Sequence, residues 1–397
     1  MGFSLSKQNF SLQTAFQQNI LLFPLTLFVF WRVLTAVVAL ASVNMIEVQT
    51  PVFDDAAGRV YNQALPPDSP LAWLVEPWHR FDTGWYIKNA ITGYQADYGI
   101  VFPPFYPVLI RLVATFCAGN YVLAALIVSN TACAIALILL YRLVIREFGD
   151  HQLAQRTLIL LVAFPTAFFM LSGYAEPLFL ALTLGAWLAT LDRRWLLAGV
   201  LAALAALTRI QGAVLMFPLA WIAYIRLRET GWRAQLVRLP VLIGGPAGLL
   251  AHMLYLRVNN LGDMNSMYNA GWGSNIGFPG QSIILYLNRF LSGETLGYEN
   301  TNFVLLIIFM ALSVVVLLRF RPEYGLYLWA TLGLLLLRNF DTSQFKSTFR
   351  HFLMFFPCFI LIGMILKHPR WTLVYMIIGF CWQMLLIALY THWSWVA

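Results

Sequence analysis

Apolar stretches long enough to cross about 30 Å of hydrocarbon recur along this chain from Leu21 to Tyr390. Their recurrence rules out a single anchor on a soluble enzyme. Backbone N–H and C=O groups find no water in lipid, so the spanning elements must be helices or a closed barrel. Runs such as 196–207 show no alternation of apolar and polar residues, which selects helices. Composition agrees: 11% of residues are charged, against about 25% in a soluble domain. The sequence therefore predicts an all-α polytopic membrane protein, a single domain over 1–397.

Spans are expected at 21–43, 121–141, 157–172, 176–191, 195–207, 212–226, 239–256, 302–319, 323–337, 351–366 and 371–391. That is about 11, within a range of about 10–13. Residues 102–116 are ambiguous. As a full span they would put Arg142, Arg146 and Arg156 outside; as a re-entrant or surface helix they put them inside. On the second choice, the inner loops (1–20, 142–156, 192–195, 226–238, 319–322, 367–370) hold 14 Lys and Arg in 60 residues. The outer loops (44–100, 172–175, 208–211, 257–301, 338–350, 392–397) hold 9 in 129. The densities differ in the direction of the positive-inside rule, giving an N-in, C-out topology. The net charge of +8 is then a property of cytoplasmic loops, not a sign of a nucleic-acid partner. Residues 1–18 lack an apolar core followed by a cleavage site, and read as a cytoplasmic leader. Cys117, Cys133, Cys358 and Cys381 all fall in apolar runs, so neither a disulfide nor a cysteine metal site is expected.

The wet segments lie outside. The first outer loop with its adjoining helices covers 44–116, and a second long one covers 257–301. Every inner loop is short, so aqueous chemistry belongs to the outer face. The sharpest stretch is Trp78-His79-Arg80-Phe81-Asp82-Thr83-Gly84-Trp85-Tyr86, then Gly93-Tyr94, then Phe102-Pro103-Pro104-Phe105-Tyr106-Pro107. Asp82 stands before an expected short helix over 83–90, where an acid could simply cap the helix. Trp78, Trp85 and Tyr86 could equally form an interfacial belt. The order of an acid among aromatics, a Gly-Tyr and an aromatic-proline block in one outer loop argues for more than either.

In that order the chain resembles the PIG-V-type mannosyltransferases, a branch of the GT-C glycosyltransferases. A second block, Ala163-Phe164-Pro165-Thr166-Ala167-Phe168-Phe169 leading into Ser172-Gly173-Tyr174-Ala175-Glu176-Pro177, is similar to the family's second motif. So are Leu207-Thr208-Arg209-Ile210-Gln211-Gly212 and the loop from Trp272-Gly273 to Pro279. The likeness runs with order preserved from Trp78 to Gly280. It departs in Phe81-Asp82, where Trp-Asp is commoner, and in Pro177, which replaces a serine. The resemblance implies a GT-C-like bundle with a re-entrant or juxtamembrane helix region in the first outer loop. It implies inverting transfer of a sugar, mannose, from a polyprenyl- or dolichyl-phosphate carrier to a glycolipid, glycan or protein acceptor.

Such a reaction needs a base for the acceptor hydroxyl, worth about 10²–10⁴-fold. It also needs cations for the leaving phosphate. Asp82 is the candidate base. Arg209, Lys346, Arg350 and His351 are the candidates for the phosphate, because charge at membrane depth tends to face a cavity. Arg209 could instead snorkel to the interface, and Arg350 and His351 could merely mark a span boundary. Glu176 is expected to bind sugar, to pair with Arg209, or only to complement a helix N-terminus. Tyr174 would share its pocket, and Trp272 would stack on sugar or sit at the lipid boundary. No Asp-x-Asp, phosphate-binding P-loop or His-Glu-x-x-His is present, which argues against a nucleotide-sugar donor, an ATPase and a zinc protease. No cofactor is implied, and a divalent ion (Mg or Mn) on Asp82 stays open. The competing readings are a lipid-sugar flippase or secondary transporter, which should show repeated halves, and an O-antigen-ligase-like enzyme, which would place its loop late in the chain. The compact length points to a bacterial plasma membrane with the site outward; in a eukaryote it would face the lumen of the endoplasmic reticulum.

Overall fold

The computed structural model describes residues 20–48, 71–229, 231–341 and 344–396. The expected leader at 1–18 and residues 49–70 of the first outer loop lie outside them. The structure is 76% helical. Among the described residues, strands are confined to one antiparallel ribbon, β1 (Ser274–Ile276) with β2 (Arg338–Phe340). The ribbon was not expected, since three residues are too few to show an alternation.

Among the described residues, five helices are long and apolar enough to cross a membrane: Leu22–Met45, Tyr121–Phe148, Trp232–Val258, Gly297–Arg319 and Pro369–Thr391. A sixth span is formed if Thr348–Met354 and Phe356–Ile365, bent by 78°, are taken together. The chain is thus a multi-pass helical membrane protein. Other expected spans fold as shorter pieces, among them Glu176–Leu191, Trp195–Ala206 and the compound Ile210–Arg226. Their backbones break at Gly173-Tyr174 and Thr208-Arg209, so helix length alone supports fewer spans than about eleven.

The stretch 102–116 yields the 10-residue helix Phe105–Ala114. At 1.5 Å per residue this is about 15 Å, half of a hydrocarbon core. After a turn at Gly119 (φ +80°) the chain doubles back into Tyr121–Phe148. Tyr106 seals the hairpin, its hydroxyl donating to the Ala125 carbonyl at 3.1 Å and lying 2.6 Å from Ser129 Oγ.

Helices Trp195–Ala206 and Leu239–Val258 pack with their backbones nearly touching. A Cβ on Gly244 would fall 2.1 Å from the Gly199 carbonyl oxygen, and one on Gly248 would fall 2.3 Å from that of Ala203. Helices in lipid gain little from hiding apolar surface, so close backbone approach is what holds such a pair. At one end of the bundle, ion pairs tie the short loops together. Arg226 bridges Glu147 and Glu323 at 2.9 and 2.8 Å, Arg321 also reaches Glu147 at 2.8 Å, and Arg146 pairs with Asp192. The opposite end carries Asp82, the hairpin and the ribbon.

Candidate active site

Asp82 stands on a clamped loop. The Arg80 guanidinium donates to the carbonyls of Glu76 (2.8 Å), His79 (3.0 Å) and Thr391 (3.0 Å), and lies 4.4 Å from the Trp393 ring centre. The Tyr390 hydroxyl donates to the Trp78 carbonyl at 3.3 Å. Burial, then the neighbouring Arg80 charge, pushes the His79 imidazole down to about 3, so it is neutral. Between these anchors Phe81 is held at φ +52°, which a non-glycine residue adopts only at a cost of about 1–3 kcal/mol. Its ring is gripped edge-on by Trp393 and Trp395, with centroids 5.8 and 5.0 Å away.

The helix then begins at Asp82 itself and runs to Thr92, one residue earlier than expected. Phe81 occupies the capping position and makes no side-chain cap. The Asp82 carboxylate is therefore not a helix cap, and its side chain is 15% exposed. Gly173 lets the next motif come close: a Cβ there would lie 2.6 Å from Thr83 Cγ2.

The four sequence motifs meet around this point. The Tyr94 hydroxyl donates to the Phe102 carbonyl at 2.5 Å, joining the Gly-Tyr to the aromatic-proline block. The Phe105 N–H donates to the Leu207 carbonyl at 2.8 Å, joining that block to Thr208-Arg209. Thr166 Oγ1 donates to the Phe349 carbonyl at 3.1 Å, holding the residue next to Arg350. Ser129 Oγ, already in contact with Tyr106, donates to the Tyr174 carbonyl at 2.7 Å. Trp272 stands edge-on to Phe102, with centroids 6.0 Å apart.

Charges form a chain through the middle. Arg350 Nη1 is 2.8 Å from Asp82 Oδ2, and its Nε is 2.9 Å from Glu176 Oε1. Arg209 Nη1 donates to the same Glu176 oxygen at 2.7 Å. The Arg350 N–H groups are not aligned on the oxygens, so its two contacts are charge pairs, while Arg209–Glu176 is a directed hydrogen bond. Glu176 is the deepest member, its side chain 1% exposed. The Arg350 guanidinium also lies 4.9 Å from the Tyr174 ring centre.

A cavity of about 480 Å³ opens over this chain. Asp82, Arg209, Trp272, Lys346, Arg350 and His351 all line it. Glu176 and Tyr174 sit behind its wall. Tyr174 instead turns its hydroxyl to the Arg80 carbonyl at 3.4 Å, bracing the loop under Asp82. The roles offered to Glu176 and Tyr174 as sugar contacts have no geometry here; Glu176 holds the two arginines. Lining residues that were not offered as site candidates from the sequence include Trp85, read there only as part of a possible interfacial belt, and Trp395 and Arg338. Arg338 was countable as an outer cation beside Lys346 and Arg350, and that was its available signal. Burial lowers the Lys346 ammonium, opposed by the charges of Asp341 and Glu299. Burial also lowers Arg338, opposed by Tyr268. Among the described residues, no three or more His, Cys, Asp or Glu side chains are grouped to hold a metal ion.

No family model, curated protein or solved structure matches the chain.

Proposed function

We propose that the chain is a membrane glycosyltransferase that moves a sugar, mannose in the first instance, from a polyprenyl-phosphate carrier to a glycolipid or glycan. The observation that carries this reading is that Asp82 opens into a cavity whose wall also holds Arg209 and Arg350. A single carboxylate beside fixed cations, with Trp85 and Trp272 offering apolar ring faces, suits a sugar joined to an anionic leaving group. In the proposed step the acceptor oxygen attacks the anomeric carbon and its proton passes to Asp82. The bond from that carbon to the phosphate oxygen breaks, and the electron pair stays on the phosphate. Attack opposite the leaving group inverts the centre. Arg350, touching the Asp82 carboxylate, fixes its orientation.

For the apolar tail we propose a route along one helix. A second cavity, of about 490 Å³, is lined by Phe217, Trp221, Leu242 and Leu326 among others. Helix Pro322–Leu336 runs between the two, with Leu334 and Leu335 on the first. Eight residues of helix separate Leu326 from Leu334, about 12 Å. On this reading the isoprenoid lies along that helix. The shorter helices complete a bundle of about 11 spans, and the cavity faces the outside of a bacterial plasma membrane, or the lumen of the endoplasmic reticulum.

Asp82→Asn tests the reading. In reconstituted membranes supplied with polyprenyl-phosphate sugars, transfer should fall by about 10²–10⁴-fold, with product scored by mass spectrometry and the protein still folded at the assay temperature. Near-wild-type turnover in that variant removes Asp82 from the mechanism.

A further inference from the structure

Two of the cations on the cavity wall are already engaged. Arg209 and Arg350 each lie within 3 Å of a carboxylate, at 2.7 to 2.9 Å. Their positive charge is already compensated by Glu176 and Asp82, so a phosphate there would meet two carboxylates as well as the guanidinium groups, and displacing either acid would cost a buried charge its partner. Arg338 differs. It has no carboxylate within ion-pair distance among the described residues. Its contacts are neutral: Nη1 donates to Ser274 Oγ at 3.3 Å, and its guanidinium lies 3.8 Å from the Tyr268 ring centre. A guanidinium carries five N–H donors in a planar fork, so most of its hydrogen-bonding capacity is directed at neither neighbour.

Its mounting is firm. Arg338 opens β2, opposite Ile276 of β1, and the ribbon is braced on both sides. The Asp341 N–H donates to the Gly273 carbonyl at 2.9 Å, and Asn339 Nδ2 donates to Gln281 Oε1 at 2.9 Å. Trp272, which ends the helix leading into β1, lines the same cavity, as do Ser274 and Lys346. A half-buried cation on a braced ribbon, with no carboxylate at ion-pair distance among the described residues, bonded to a hydroxyl and sharing its cavity wall with a second cation, is suited to a tetrahedral oxyanion. Arginine meets phosphate through two parallel N–H bonds.

We propose that Arg338, with Ser274 and Lys346 beside it, is the anchor for the phosphate group of the carrier, while Arg209 and Arg350 organise the acids. This rests on the lipid-phosphate reading of the cavity. It moves the phosphate grip from the Asp82 charge chain to the ribbon, so the leaving group and the base are held by separate elements.

The experiment uses the full chain in nanodiscs and measures binding of a sugar-free polyprenyl phosphate by native mass spectrometry, with the neutral polyprenol and inorganic phosphate as the other arms. Arg338→Gln should weaken polyprenyl phosphate by about tenfold or more and leave polyprenol unchanged; Arg338→Lys should recover part of the loss. Inorganic phosphate should compete in the wild type, which shows that the phosphate itself is recognised and not a lipid headgroup as a whole. Equal affinity of wild type and Arg338→Gln for polyprenyl phosphate overturns the anchor, and so does an equal loss for polyprenol. If Arg338→Gln does not fold, Ser274→Ala and Lys346→Gln decide: weakened polyprenyl phosphate in either supports the anchor, and unchanged affinity in both overturns it. The transferase reading is scored separately. Should Arg338→Gln lose the phosphate while no sugar donor turns over, the anchor stands and transfer falls. Should transfer depend on Asp82 while Arg338→Gln binds normally, transfer stands and the anchor falls.

Discussion

Glu176 shows how a buried acid can matter without touching a substrate. Its Oε1 is shared by Arg209 and Arg350, while Oε2 has no hydrogen-bond partner among the described residues. Glu176→Gln keeps the shape and removes the charge, leaving two guanidinium groups close together with Asp82 as the remaining acid of Arg350. Breaking a buried pair in this way costs about 3–5 kcal/mol. Thermal unfolding in detergent should show a clear loss for Glu176→Gln and a smaller one for Asp82→Asn, whose side chain reaches solvent. Equal stabilities of wild type and Glu176→Gln would sink the view that this acid is the keystone of the charge chain. Arg209 and Arg350 could be picked out of the sequence because a charge at the edge of an apolar run is conspicuous, and Asp82 because of the order of motifs around it. Phe81 could not. Positive φ at a phenylalanine carries no local mark, and it is imposed by Arg80 and by Trp393 and Trp395 from the far end of the chain.

At the scale of elements, the contact between Trp195–Ala206 and Leu239–Val258 sets where Arg209 stands. Arg209 follows the first helix directly, and the turn Ile210–Leu215 lies against the second through Gly245, whose added Cβ would fall 2.6 Å from the Gly212 carbonyl oxygen. Gly244→Val would press a side chain on backbone that has no rotamer to yield. A loss of about 3 kcal/mol is expected, together with weaker polyprenyl-phosphate sugar turnover, because Arg209 shifts with its helix. A melting temperature equal to that of wild type would show that the helices can part freely. Hydropathy reads such pairs as two spans, and the existence of both as helices was legible. The breaks at Gly173-Tyr174 and Thr208-Arg209 were legible as well, as the short outer loops 172–175 and 208–211; the shortness of the helices beside them was not, because a window that counts apolar residues does not register hydrogen-bonded helix length. The ribbon was hidden for a related reason: three residues in each strand, from loops more than sixty positions apart, leave no pattern to read.

Over the whole molecule, two charged layers stand at opposite ends of the bundle. Along helix Tyr121–Phe148, Ser129 belongs to the layer of Asp82, and Glu147 to the layer of Arg226 and Arg321. Eighteen residues of helix place them roughly 27 Å apart, close to the thickness of a hydrocarbon core. Arg226→Met leaves Glu147 and Glu323 with fewer partners and should destabilise the protein by about 3 kcal/mol. Its effect on stability should add to that of Glu176→Gln within about 0.5 kcal/mol, since the sites share no contact. A marked departure from additivity in the double variant would show that the two layers are coupled. The motifs gave the cast of the upper layer in sequence order. Their meeting rests on hydrogen bonds such as Phe105 to Leu207, which link backbone groups and are invisible to side-chain spelling.

The 78° bend between Thr348–Met354 and Phe356–Ile365 also has a bearing on lipid. The Tyr327 hydroxyl donates to the Met354 carbonyl at 2.9 Å, meeting one of the acceptors that the broken helix exposes. The corner is thereby locked, and Arg350 sits one turn beyond it at a fixed height above the apolar limb. The protein thus carries its own depth gauge. On the proposed reading, how far the sugar of a lipid carrier must sink to meet Asp82 is set by this corner and by the thickness of the surrounding bilayer, so bilayer thickness becomes a variable of the proposed reaction.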